Sequence, residues 1–339
     1  MAVYLELCLD IFRLPPAIND PGRNHEKHIS NWPSLRVIGG RSRRRIRTLS
    51  LPTGRRRIQA TENKRVKRSP ADIDLDQVSN AAARIASEAG ALIISRFGYL
   101  SEPTPKGNFD VQLDIDIQSE ELIISLLTDQ YPSIPVISEE MTAKPNWAQD
   151  TVWIVDPLDG TNNFAVGIPY IAVSICLRSR QRLLVGVIHD PITSHTYVAR
   201  LSAGATCDGN RLHLDAAKSM QAATVSLVTG YSISDRKMGE TAYLALSRRA
   251  RRVVTMWAPA ADLARIADGQ LDAMVCFNAL FGDVCSGLLL ISEAGGVITN
   301  LDGAEMNIHE INPDLPVTFV ASGNYILCAE ILSAIRDIR

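Results

Sequence analysis

From Pro70 onward the apolar residues of the chain switch repeatedly between helical and strand-like spacing. Pro70, Asp72 and Asp74 read as a helix start. Leu75, Val78, Ala82, Ile85, Ala89, Leu92, Ile93 and Phe97 then recur at helical intervals, and Gly98 closes the run. After a loop with Pro103 and Pro105, Val111, Leu113, Ile115 and Ile117 alternate with Gln112, Asp114, Asp116 and Gln118, a period of two that predicts a strand. Helical spacing resumes from Ser119 to Leu127 and stops at Tyr131-Pro132. Ile134–Ser138 and Thr151–Val155 predict short buried strands, the first ending at Glu139-Glu140 and the second at Asp156. Ile171–Arg178, Leu183–His189 and Thr196–Leu201 predict consecutive antiparallel strands, with a turn at Asp208-Gly209-Asn210. The last third predicts strands at Thr224–Val228, Arg252–Met256, Ala273–Cys276, Gly296–Thr299 and Val317–Ala321. Between them it predicts helices at Gly239–Ser247, Ala260–Asp268, Val284–Ala294 and Tyr325–Ile338. Strands mixed with helices on both sides imply layered α/β or α+β packing.

The first seventy residues break this pattern. They carry 16 Lys+Arg against 5 Asp+Glu, whereas residues 71–339 carry 19 against 32, so the net charge of −2 averages a basic leader and an acidic body. Residues 1–70 are read as a basic, disordered leader outside the catalytic domain of residues 71–339. An organellar transit peptide is the second reading, opposed by Glu6, Asp10 and Asp20 and by few serines. A nucleic-acid arm is the third, and no aromatic residue interleaves its Arg clusters. An acidic body is a poor generic nucleic-acid binder and a good holder of cations. No apolar run reaches the ~18–20 residues of a membrane span. Six scattered cysteines without a CxxC pair give neither a disulfide framework nor zinc spacing, which points to a reducing, cytoplasmic setting.

The acids of the body stand at the ends of apolar elements, where a lone charge is costly. Asp116, Glu139, Glu140, Asp156, Asp159 and Asp283 all have this placement. Several such ends converging would repel unless cations neutralised them. An oxygen-only set without His or Cys suits a hard metal, Mg²⁺ before Mn²⁺ or Ca²⁺. In Asp156-Pro157-Leu158-Asp159-Gly160-Thr161 the proline bends the chain so that Asp156, the Leu158 carbonyl and Asp159 can face one point. Gly160 permits close backbone approach, and Thr161 opens a short helix whose free N–H groups suit a phosphate. Taken singly, each piece also reads as a turn, a solvated strand end, a helix cap or an exposed strand residue. His189 and His195 read as surface or hairpin histidines, and Trp257 as either a pocket wall or a packing residue.

The ordered set Lys106–Asp116 (KGNFDVQLDID), Ile137–Glu140 (ISEE), Trp153–Phe164 (WIVDPLDGTNNF) and Gly282–Gly296 (GDVCSGLLLISEAGG) closely resembles the inositol monophosphatase family of Mg²⁺-dependent, lithium-sensitive phosphatases. The resemblance spans Pro70 to the C-terminus and implies an αβαβα five-layer sandwich that hydrolyses a small phosphate monoester, commonly as a homodimer. It implies that Glu139, Asp156 and the Leu158 carbonyl bind one Mg²⁺, that Asp156, Asp159 and Asp283 bind a second, and that Glu139 touches a third. Asp116 and Thr161 would orient and deprotonate the attacking water. The Gly160 and Thr161 amides would hold the phosphate, with Leu158, Asp159 and Asp283 around the substrate. Lys106 and Glu140 would support the ligands from behind.

Three positions depart from the family pattern. Gly282 stands where the family usually has Trp, a loss expected to loosen the Asp283 helix start. Cys276 stands where the family has a sugar-contacting Glu, and Trp257–Pro259 replaces its Gly-Ser/Thr-Ala loop. These changes concern the alcohol half, so myo-inositol 1-phosphate is not the expected preferred substrate. Histidinol phosphate, fructose 1,6-bisphosphate and 3′-phosphoadenosine 5′-phosphate are alternatives. A catalytically silent regulatory or binding protein on the same scaffold is the reading from another class.

Overall fold

The computed structural model describes residues 73–99, 103–106, 109–141, 146–214 and 218–336. The basic leader read over residues 1–70 lies outside the described residues. Among these, no helix is long and apolar enough to cross a membrane.

The chain opens with α1 (Leu75–Ile94), a small antiparallel ribbon of β1 (Thr104–Pro105) and β2 (Val111–Gln112), and α2 (Asp114–Gln130). A seven-stranded sheet follows in sequence order: β3 (Val136–Ser138), β4 (Thr151–Asp159), β5 (Ala172–Ser179), β6 (Arg182–Asp190), β7 (His195–Arg200), β8 (Gly204–Cys207) and β9 (Asn210–Arg211). Only β3 and β4 pair in parallel, and the one-turn helix α3 (Thr161–Ala165) interrupts the connection from β4 to β5. The second sheet runs β11 (Arg252–Val254), β10 (Thr224–Thr229), β12 (Ala273–Ala279), β14 (Val317–Ser322), β13 (Val297–Thr299). The remaining helices are α4 (Ile233–Ser247), α5 (Pro259–Ala267), α6 (Phe281–Glu293) and α7 (Tyr325–Arg336).

Strand pleating sorts neighbouring residues into separate cores. On β4, Trp153 and Val155 join α1 and α2 in an outer core, while Val152 and Ile154 join α5 and α6 in the layer between the sheets. On β12, Met274 and Cys276 enter that central layer, and Ala273, Val275 and Phe277 pack with α4 and α7 on the far side. The order is therefore helices, sheet, helices, sheet, helices, the expected αβαβα sandwich. Both sheets are covered on both faces, which is why their central strands are near-continuous apolar runs. The α6 helix lies very close to the first sheet: a Cβ on Gly186 of β6 would stand 2.7 Å from the Ser286 carbonyl oxygen. The Ser174 and Ser286 hydroxyls meet beside it at 2.9 Å.

Two expectations need correction. The strand read over residues 111–118 is a two-residue strand followed by the first turn of α2. Helical register buries Ile115, Asp116, Ser119, Ile123 and Leu127 together and leaves Ile117 exposed, the reverse of a strand with its isoleucines on one buried face. The fourth helix starts six residues before its apolar spacing. There the Ser232 hydroxyl accepts from the Asp235 N–H and the Asp235 carboxylate accepts from the Ser232 N–H, each at 3.1 Å.

Candidate active site

Parallel pairing brings the C-terminal ends of β3 and β4 to one rim. Glu139 follows β3 directly, its N–H donating to the Val155 carbonyl at 3.1 Å. A register shift against β5 lies between Asp156 and Asp159, so both carboxylates leave β4 buried, 2% and 3% exposed. The first turn of α6 adds Asp283. Glu139, Asp156 and Asp283 each offer a carboxylate oxygen within 4.8 Å of the others. Asp159 stands beside them; its Oδ2 accepts from the Ala261 N–H of α5 at 2.8 Å. Burial, and then the neighbouring carboxylates, push Asp156 well above the usual carboxylate range. Asp283 is pushed the same way by burial, then by Glu139 and Asp159, and Asp159 chiefly by burial. Mutual repulsion in a partly buried, all-oxygen cluster is relieved by divalent cations, so the donor set fits a hard metal.

One ammonium works against this charge. Lys106 Nζ lies 3.0 Å from Glu139 Oε1 and also pairs with Glu140. Burial opposes the charged Lys106, but the two carboxylates outweigh it and hold its pKa above the ordinary value. The other Glu140 oxygen accepts from the Gln112 side chain of β2. The support expected from Lys106 and Glu140 is thus a hydrogen-bonded chain ending on Glu139.

Asp116 is fully buried in the first turn of α2. Its Oδ2 accepts from the Leu113 N–H, and its Oδ1 accepts from the Thr161 hydroxyl at 2.9 Å. The same hydroxyl lies 3.0 Å from the Leu158 carbonyl oxygen, so one proton is shared between two acceptors. Burial pushes Asp116 up to about 7, against the two hydrogen bonds that favour its charged form. Gly160 supplies the left-handed turn before α3, with φ 88°. A side chain there would also strike the Tyr170 carbonyl oxygen, 2.8 Å from the Cβ position.

Beside Gly282, the start of α6 carries an aromatic contact. Trp147 packs edge-to-face on Phe281, ring centroids 5.9 Å apart, and pins the start of α6. Cys276 is fully buried in the central core, and burial pushes its thiol up. Trp257 is the wall of a cluster the sequence reading missed. It meets Tyr231 edge-on at 5.5 Å and lies 5.2 Å from the Arg236 guanidinium carbon, which stacks at 3.3 Å over Phe109. The sequence signals were Phe109 inside a matched motif and Trp257 in the replaced family loop; Tyr231 and Arg236 belong to neither. His189 is buried, not on the surface, bonding the Thr196 hydroxyl within the β6–β7 hairpin. His195 pairs with Asp208 on the outer strands at 2.7 Å, apart from this site.

A partly buried carboxylate cluster with a Thr–Asp pair, set at the strand ends of an αβαβα sandwich, fits a phosphomonoesterase. The model of the inositol monophosphatase family matches residues 74–338, and the chain belongs to that family. It is similar to Nus factor SuhB of Haemophilus influenzae, 31% identical over 70% of this chain and 90% of the relative. It is also similar to inositol monophosphatase of Dictyostelium discoideum, 28% identical over 70% of this chain and 89% of the relative. Among solved structures, the extragenic suppressor protein suhB of Bartonella henselae superposes with a TM-score of 0.69 at 25% identity, covering 77% of this chain and 98% of the other.

Proposed function

We propose that residues 71–339 hydrolyse a small phosphate monoester of the inositol-phosphate or sugar-phosphate kind, with water as the phosphoryl acceptor. The observation that carries this reading is the meeting of Glu139, Asp156 and Asp283 oxygens within 4.8 Å, with Asp159 beside them. Glu139, Asp156 and the Leu158 carbonyl would hold one Mg²⁺; Asp156, Asp159 and Asp283 would hold a second; Glu139 would touch a third. Bound there, Mg²⁺ supplies neutralisation of the phosphate dianion and acidification of a water.

The rest falls to the chain's own groups. With its proton directed to Asp116 Oδ1, the Thr161 oxygen can accept a hydrogen bond from the attacking water. Asp116, between the Leu113 N–H and Thr161, is the end of that proton path. The Gly160 and Thr161 amides begin a helix, lack intrahelical partners and would donate to phosphate oxygens. Lys106 and Glu140 fix the rotamer of Glu139.

The preferred substrate is not myo-inositol 1-phosphate on this reading, because Cys276 and Trp257 stand where the family has its sugar contacts. A homodimer and lithium inhibition follow from the family. The free cysteines Cys176, Cys207, Cys276, Cys285 and Cys328 support a reducing, cytoplasmic setting. The relatives named Nus factor favour a second reading, a regulatory binding protein. The buried acid cluster supports catalysis over it. Phosphate release from inositol, histidinol, sugar and nucleotide phosphates under titrated Mg²⁺ decides. Asp159→Asn should lose roughly 10³-fold or more in kcat/KM; no turnover on any ester with Mg²⁺ bound leaves the regulatory reading.

A further inference from the structure

We propose that Arg236 is an anion-reading residue beside the acid centre, and that the alcohol half of the substrate carries a second anionic group, a carboxylate or a further phosphate. This rests on the phosphomonoesterase reading and adds the class of alcohol to it.

The Arg236 guanidinium sits between two rings, 3.3 Å from the Phe109 centroid and 5.2 Å from that of Trp257. Its Nε is buried and has no hydrogen-bond partner. Among the described residues no carboxylate pairs with it. The neighbouring Asp235 is occupied by the Ser232 N–H and the Asn278 side-chain amide. Glu240 lines the same cavity without forming an ion pair with Arg236. A cation partly withdrawn from water and left without a counter-ion is costly, and a ligand anion offsets that cost. Stacking covers the face of the guanidinium and leaves its in-plane N–H groups, the geometry that takes a carboxylate or phosphate two bonds at a time.

The space for such a ligand is present. Arg236, Trp257, Tyr243 and Thr255 line a cavity of about 710 Å³. Both rings are tethered to the acid centre. Phe109 lies three residues after Lys106, which holds Glu139 at 3.0 Å. On the other side, the carbonyl of Met256, next to Trp257, accepts from Asn163 of α3 at 2.7 Å, and Ala261 donates to Asp159 at 2.8 Å. Tyr231, edge-on to Trp257, feels the charge of Asp283, Glu139 and Asp159, so the cluster borders the acid centre; an ester held there by its phosphate would extend its alcohol toward Arg236.

The test uses the full chain and substrates matched in carbon skeleton: glycerol 3-phosphate, 3-phosphoglycerate with its carboxylate, and 2,3-bisphosphoglycerate with a further phosphate. Wild type should favour at least one doubly anionic ester over glycerol 3-phosphate by about tenfold or more in kcat/KM. Arg236→Ala should collapse that ratio, and Arg236→Lys should recover part of it, which a merely structural role would not do. Calorimetric titration of the same compounds with Ca²⁺ in place of Mg²⁺ reads binding without relying on turnover. Equal turnover and equal binding of all three esters overturns the subsite and leaves the hydrolase reading standing. Arg236-dependent preference in binding, with no ester hydrolysed, keeps the subsite and defeats the hydrolase reading.

Discussion

The phosphate side of the site and its alcohol side are held together in different ways. Asp156, Leu158, Asp159, Gly160 and Thr161 lie within six consecutive residues, and directional bonds fix them: Thr161 to Asp116 and Leu158, Ala261 to Asp159, Leu158 to Asp156. Phe109, the Tyr231–Arg236 stretch and Trp257 come from three distant parts of the chain and meet through aromatic edges and faces. Chemistry common to every phosphate ester demands fixed oxygen positions. On the proposed reading, recognition of one alcohol falls to side chains that can be exchanged without disturbing the acid frame.

Three perturbations sharpen or break that contrast. On the phosphate side, Thr161→Val keeps the shape but removes the hydroxyl between water and Asp116. It should lower kcat about 100-fold with KM changed less than about threefold; an unchanged kcat in steady-state assays removes the Thr–Asp pair from the proton path. On the alcohol side, Trp257→Ala should raise KM about tenfold with a much smaller change in kcat. A fall in kcat as deep as that of Thr161→Val would erase the division.

The smallest effect is at the joint between the halves. Asp262 of α5 is buried and accepts from Tyr170, just before β5, and from Ser226 of β10, so it links the two sheets. Burial pushes its pKa up to about 6 from the ordinary 3.8, against those two hydrogen bonds. Because the folded value is the higher one, its contribution to stability is full below the unfolded value and is lost as pH rises through 6. Thermal melts between pH 4 and 7.5 should show wild type gaining on Asp262→Asn as the pH falls, by on the order of 3 kcal/mol at the acid end. Parallel curves would mean that Asp262 stays charged throughout.

The same contrast explains what could be read in advance. The acids of the site were legible because each ends an apolar strand or starts an apolar helix and because separated motifs together resembled one family; of Glu139, Asp156, Asp159 and Asp283, only Asp156 and Asp159 are close in sequence. The layered fold was legible because strands buried on both faces cannot be written any other way. Residues 111–118 misled, since a few alternating positions fit period two as well as the first turn of a helix; the decisive fact, the burial of Asp116 by Leu113 and Thr161, is tertiary. The start of α4 was hidden because polar caps, not apolar spacing, define it. Phe109 and Trp257 stood out singly, but their meeting with Arg236 was hidden because none of the three is close in sequence to another.

The close approach of α6 to β6 has a consequence for ion choice. The Gly186 and Ser286 backbones are in contact, so main chain, not long side chains, sets how far α6 with its Asp283 stands from the first sheet. On the proposed metal reading, a spacing held that way would grade cations by radius, favouring the short, regular shell of Mg²⁺ over the wider one of Ca²⁺.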